Sequence, residues 1–152
     1  MTVVIVRDVK AYWPKLMKPV SPFGTEQYEL QVRANKDSEA HKVLKGFGLK
    51  EKPQEDGSIA FNLKRKAKNR KGDDNGAPEV VDNQRKPFDA SKIGNGSDVN
   101  VKLFTYDYDV NGRKGTGVML SGVQIVNLIE YKASNNIDFD SEAVNEANNV
   151  DF

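Results

Sequence analysis

Between Asp98 and Val110 the chain alternates with period two, placing Val99, Val101 and Leu103 on one face of an extended strand. Asn100, Lys102, Phe104, Tyr106 and Tyr108 fall on the other. A helix cannot sort these residues, and a half-buried strand this long needs partners. Several partners are legible. Val3 to Val6 is a short β-branched strand, and Tyr28, Leu30 and Val32 alternate with Glu29, Gln31 and Arg33. Ile59, Phe61 and Leu63 alternate with Ala60, Asn62, Lys64, Lys66 and Lys68, and TGVMLSGVQIVNLIEY follows a turn at Asn111 and Gly112. The residues after that turn, Arg113 to Gly117, suggest a long, loose hairpin tip.

The remaining segments are punctuation. In KAYWPKLMKPVSPFG, Pro14, Pro19 and Pro22 leave only an edge strand or a loop. Asn35 or Asp37 can cap a short helix through about Leu44, with Ser38 and Glu39 at its start and Gly46 and Gly48 at its end. Asn69 to Asp98 is a long loop interrupted by a short strand at Val80 and Val81. Five or six strands, one short helix and many turns make a mainly β domain, a small barrel or sandwich.

A chain of 152 residues suits one domain. It has no Cys, which removes disulfides, thiolate catalysis and Cys/His zinc sites, and its one His, His41, reads as a surface side chain. No apolar run is long enough to span a bilayer and the first residues do not make a signal peptide, so a cytoplasmic protein is expected. Charge is uneven. Residues 133–152 carry five acids and no base, so the first 132 residues hold 23 Lys and Arg against 17 Asp and Glu, a net of +6. We therefore divide the chain into a basic domain, residues 1–132, and an acidic tail, residues 133–152, whose sparse apolar content predicts disorder when free.

A solvated sheet face gains nothing from three large rings and a core face needs no lysine, so the second face of the 98–110 strand suits flat ligands beside anions. Unpaired bases are such ligands. Lys64, Arg65, Lys66, Lys68, Arg70 and Lys71 form a second basic element, joined by Arg85 and Lys86 and by Lys15 and Lys18 around Tyr12 and Trp13. Together they make a phosphate track. The acid pairs Asp73/Asp74 and Asp107/Asp109 could hold Mg²⁺ for a nuclease or resolvase, but both lie at turns. The Gly-rich pieces at Gly94 to Gly96 and Gly112 to Gly117 lack the phosphate-loop Lys-Ser/Thr and read as turns, and Asn95-Gly96-Ser97 is a sequon by spacing only. In the tail, Phe152 can enter an apolar pocket while Asp151 and the terminal carboxylate meet Lys or Arg.

The order YWPKLMKP, YELQV, NKD with a helix, EDGSIAFNLKRK, IGNGSDVNVKLFTY, GVMLSGVQIVNLIEY and a tail ending in DF resembles the single-stranded-DNA-binding proteins of tailed phages over nearly the whole chain. That resemblance implies an OB-like barrel of five to six strands that binds single-stranded DNA in replication and recombination. It implies a tail that competes with DNA for the groove and contacts replication proteins such as polymerase and helicase. It places Lys64, Lys66, Lys102, Tyr106 and the Tyr12/Trp13 segment near DNA, with no catalysis, cofactor, metal or membrane partner. The region after NKD and the tail are shorter than in the family, which leaves open the homodimer some members form. The competing readings are a metal-dependent nuclease or resolvase and a protein-interaction adaptor.

Overall fold

The computed structural model describes residues 2–21, 24–69 and 71–130. In chain order it contains β1 (Thr2–Val20), β2 (Gln27–Ala34), helix α1 (Glu39–Gly46), β3 (Lys52–Pro53), β4 (Ile59–Lys66), β5 (Glu79–Val81), a 3₁₀ turn (Ala90–Lys92), β6 (Ser97–Val110) and β7 (Arg113–Asn127). The strands form one sheet in the order β3-β4-β2-β1-β6-β7-β5, antiparallel throughout except for the parallel pair β5–β7. The sheet curls until β4 packs against β7. Arg65 spans that seam: its Nε donates to Gly76 O at 2.9 Å, Nη1 to Leu120 O at 3.4 Å and Nη2 to Asn75 O.

The 19-residue β1 serves both halves of the barrel wall. Its first part pairs with β6, from Thr2 opposite Thr105 to Ala11 opposite Ser97, and its second with β2, from Lys10 opposite Arg33 to Val20 opposite Gln27. This corrects the expectation of an edge strand or loop at the prolines, because β1 is the central strand of the sheet. Pro14 falls inside a register shift between Tyr12 and Lys15, and Pro19 inside another between Lys15 and Val20, so the missing N–H breaks no regular ladder rung. Of the strand's three register shifts, two carry a residue in the left-handed region. Asp8 and Trp13 have φ of 62° and 51°, and each N–H that leaves the ladder is taken by an asparagine side chain. Asp8 N donates to Asn100 Oδ1 at 3.3 Å, and Trp13 N to Asn95 Oδ1 at 2.8 Å.

The core is filled from alternate positions, as the pattern predicts: Val6, Val9 and Ala11 of β1, Leu30 and Val32 of β2, Phe61 and Leu63 of β4, and Leu120, Val123 and Ile125 of β7. Val99, Val101 and Leu103 of β6 are fully buried. Leu44 of α1 and Ile93 plug the barrel. Ser38 caps α1 through its Oγ, which accepts from His41 N at 3.2 Å. His41 is not the surface residue expected from the sequence. It is buried, its Nδ1 accepting from Asp37 N at 2.9 Å, its Nε2 lying 2.6 Å from Glu51 Oε1 and its ring packing near Phe61. The hydrophobic face of a short helix had to include position 41, and a polar ring fits there because both nitrogens find partners.

The β6–β7 turn is also tighter than expected. Asn111 and Gly112 have φ of 53° and 80°, the double positive that a two-residue turn requires, and Val110 pairs directly with Arg113. Past Thr105 no described residue of β1 pairs with β6, and residues 106–110 and 113–117 continue as a two-stranded arm.

Candidate nucleic-acid interface

On the outer face of β1, β2 and β4, cross-strand register assembles three rows. Lys10, Arg33 and Ala60 lie in line, then Tyr12, Gln31 and Asn62, then Lys15, Glu29 and Lys64, with Lys66 opposite Gln27 one step further. Arg33 Cζ sits 3.7 Å over the Tyr12 ring, fixing it by a cation–π contact. Trp13, 56% exposed at its bulge, stands beside Tyr12 with ring centroids 6.5 Å apart. A groove of about 350 Å³ runs between Trp13, Lys15, Gln31, Asn62 and Lys64. A second, about 790 Å³ and more apolar, lies on the other side of Trp13 against Met17, Lys18, Val20 and Ile129. The amides are engaged locally: Gln31 Nε2 donates to Asn62 Oδ1 at 3.4 Å, Arg33 Nε to Gln31 Oε1 at 3.0 Å, and Gln27 Nε2 to Glu29 Oε2 at 2.6 Å. Lys10 and Asp98 pair at 2.8 Å, which raises the ammonium pKa and lowers that of the carboxyl.

The aromatic face of β6 is real but lies on the outer face of β1, β6 and β7. Phe104 is half-buried between Val3 and Met119, whereas Tyr106 and Tyr108 are exposed on the arm, opposite Gly117 and Gly115. Lys102 departs from expectation, since its Nζ lies 3.2 Å from Glu79 Oε1. It lines a groove of about 570 Å³ with Arg7, Arg85, Asn100 and Gln124, and that groove shares no residue with the one at Trp13 and Lys64. Twelve candidates read as one track are therefore divided by the fold. Tyr12, Trp13, Lys15, Lys64 and Lys66 form one group, with Lys18 beyond Trp13, and Lys102, Phe104, Tyr106 and Tyr108 form another. Lys68 is exposed in the turn after β4, where its backbone pairs with that of Asp74 in an isolated antiparallel bridge. Arg70, Asp151 and Phe152 lie outside the described residues.

Arg65, counted in the basic run, is instead a structural cation bound to three carbonyls. The acid pairs sit in turns or on the arm: Asp74 Oδ1 accepts from Gly76 N at 2.8 Å, and Asp107 and Asp109 are exposed. Among the described residues no group of three or more His, Asp or Glu could hold a metal, and no helix is long and apolar enough to cross a membrane. Sequence reasoning missed Arg33, Gln31 and Asn62. The signal for Gln31 and Arg33 was present in the polar parity of β2, which was used only to find the core, and that for Asn62 in the polar parity of β4, which was read only for its lysines.

The barrel has solved counterparts. The single-stranded-DNA-binding protein gp2.5 of bacteriophage T7 superposes with a TM-score of 0.62 at 21% identity, over 91% of this chain and 98% of that one. The single-stranded-DNA-binding protein of bacteriophage Enc34, solved in complex with ssDNA, superposes with a TM-score of 0.61 at 16% identity, over 82% and 86%. The fold is that of phage single-stranded-DNA-binding proteins. The OB-like barrel expected from the sequence is thereby found, with seven strands where five or six were expected; the short β3 and the parallel β5 flank the core strands. A protein of the same name from Enc34 matches over 92% of this chain with a TM-score of 0.56 at 17% identity. No protein-family model and no curated protein matches the chain.

Proposed function

We propose that this chain binds single-stranded DNA with little sequence preference in phage replication and recombination, as a binding protein rather than an enzyme. The observation that carries the reading is the outer face of β1, β2 and β4. An exposed Trp13 and an Arg33-braced Tyr12 stand there among Lys15 and Lys64, on a fold shared with a protein solved in complex with ssDNA. Rings supply stacking of roughly 1 to 3 kcal/mol per base without regard to base identity, and the lysines supply phosphate contacts. Weak sequence preference follows because Gln27, Gln31 and Asn62 are tied to neighbouring side chains instead of being held open for base edges.

The Tyr106/Tyr108 arm provides further stacking surface, Lys66, Lys68 and Lys18 add positive charge around the track, and Arg70 remains a further candidate cation for DNA. Lys102 contributes only if DNA displaces Glu79 from it. The acidic residues 133–152 compete with DNA for the lysines and offer Asp151 and Phe152 to a replication protein such as polymerase or helicase. Titration of a fluorescent dT oligomer and its duplex at 50 and 200 mM salt tests the reading. With about four phosphates neutralised, the log-log slope is near −3 and affinity falls on the order of fiftyfold across that range. Equal affinity for duplex and single strand refutes it, and absence of salt-sensitive DNA binding leaves an adaptor role.

A further inference from the structure

The arm has a feature that aromatic content does not explain. Gly115 and Gly117 stand directly opposite Tyr108 and Tyr106 on the partner strand, and a Cβ on either glycine would fall inside the facing phenol ring. Neither glycine has the positive φ that would make it obligatory for backbone reasons. Each instead leaves a gap into which a ring leans, the way an aromatic covers a strand glycine. Both rings keep more than two fifths of their surface exposed.

We infer that Gly115 and Gly117 are specificity-determining positions, which lay Tyr108 and Tyr106 across the arm so that each receives one unstacked base. This rests on the single-strand reading above. Residues two apart on a strand are separated by about 6.8 Å, whereas neighbouring bases in a stacked strand are about 3.4 Å apart. Rings lying side by side at that spacing cannot serve two bases that remain stacked on each other. The strand must open, one base to a ring. Thymine runs, whose bases stack weakly on one another, then bind better than adenine runs, whose own stacking has to be broken. The discrimination comes from the spacing and attitude of the rings, with no hydrogen bond to a base edge.

The test titrates the full chain and its variants with dT and dA oligomers of equal length and follows melting in parallel. The parent should favour dT, and Tyr106→Ala should weaken dT binding about 5- to 150-fold. Tyr106→Phe, which keeps the ring over Gly117, should bind like the parent. Gly117→Ala, whose methyl evicts the ring, should lose most of what Tyr106→Ala loses, with the melting temperature held because the arm lies outside the core. In a Tyr106→Ala background Gly117→Ala should add no further loss. Parent-like binding by Gly117→Ala alongside a weakened Tyr106→Ala overturns the proposal, as does an additive loss in the double variant or equal affinity for dT and dA. Parent-like binding by Tyr106→Ala and Tyr108→Ala together would instead remove the arm from the DNA path and refute that part of the functional reading.

Discussion

Lys64 and Arg65 are adjacent cations with opposite expected phenotypes, and Arg65→Met tests the assignment. Arg65 makes two well-formed charged hydrogen bonds, to Gly76 O at 2.9 Å and to Asn75 O, and a long one to Leu120 O at 3.4 Å. A hydrogen bond from a charged donor contributes roughly 1.5 to 3 kcal/mol, and the 3.4 Å contact little. Arg65 is only half-buried, so water can replace part of the loss, and methionine keeps the aliphatic stem packed. The net cost is about 2 to 4 kcal/mol out of the 5 to 15 kcal/mol typical of a domain. The two well-formed bonds tie β4 to the loop that follows it, and the long one reaches β7, so their loss loosens that loop at the edge of the barrel seam and should lower the melting temperature by roughly 10 °C. Urea denaturation gives the stability, and dT titration of the folded variant at several salt concentrations gives the slope. An unchanged urea midpoint, or a salt slope reduced by about one as for loss of a phosphate contact, would refute the structural role.

Trp13→Ala should weaken dT binding by roughly 1 to 3 kcal/mol with little change in melting, and in the parent DNA should quench the fluorescence of this single tryptophan. Lys64→Ala with Lys66→Ala should lower affinity for all sequences alike and flatten the log-log salt slope by between one and two, read from the same titrations. The hydrogen bond to His41 holds the Glu51 carboxyl below its ordinary value of 4.5. The stability it contributes is therefore present above about pH 4.5 and lost as pH falls through the lowered value, so Glu51→Gln should show a shallower acid limb in pH-dependent melting. Removing residues 133–152 should tighten dT binding most at low salt, where competition between acids and phosphates is least screened; unchanged affinity at low salt would discard the competition.

What the sequence made legible was periodicity. The β2, β4 and β6 alternations place Leu30, Val32, Phe61, Leu63, Val99, Val101 and Leu103 inside as expected, whereas Ala60 and Asn100, which parity put on the outer faces, are buried as well because neighbouring elements cover them. What it hid was the third dimension. Phe104, Tyr106 and Tyr108 share a face with Lys102, but nothing in their spacing tells that this face belongs to a different part of the barrel wall from Lys64. Only the pairing of β1 with β6 at one end and β2 at the other settles that. The prolines of β1 misled for a related reason. Proline forbids a ladder rung, and the register shifts that remove the rung are created by distant partners. Arg65 was hidden by its neighbours, since a cation among five other bases looks like phosphate-binding charge until its acceptors, Leu120 O among them, arrive from elsewhere in the fold.

The two conformational exceptions in β1 share one device, which at Trp13 also bears on function. A strand that closes a barrel must bend, and a bulge bends it most sharply where one residue leaves the ladder. At Asp8 the displaced residue is small and polar, suited to the left-handed region, and the bulge serves the bend alone. At Trp13 the same conformation is held by a bulky indole, for which a positive φ costs on the order of 1 to 3 kcal/mol, although Asn or Gly would bend the strand with less strain. The hydrogen bond from Trp13 N to Asn95 Oδ1 and the barrel around it hold that strain in place. The bulge also takes the side chain out of the in-and-out alternation, so the indole stands proud between two grooves instead of lying flush on the sheet. A tryptophan in that backbone conformation, left 56% exposed, is poor for stability and well placed for a flat ligand. The strain thus argues for stacking at Trp13 independently of the lysines beside it.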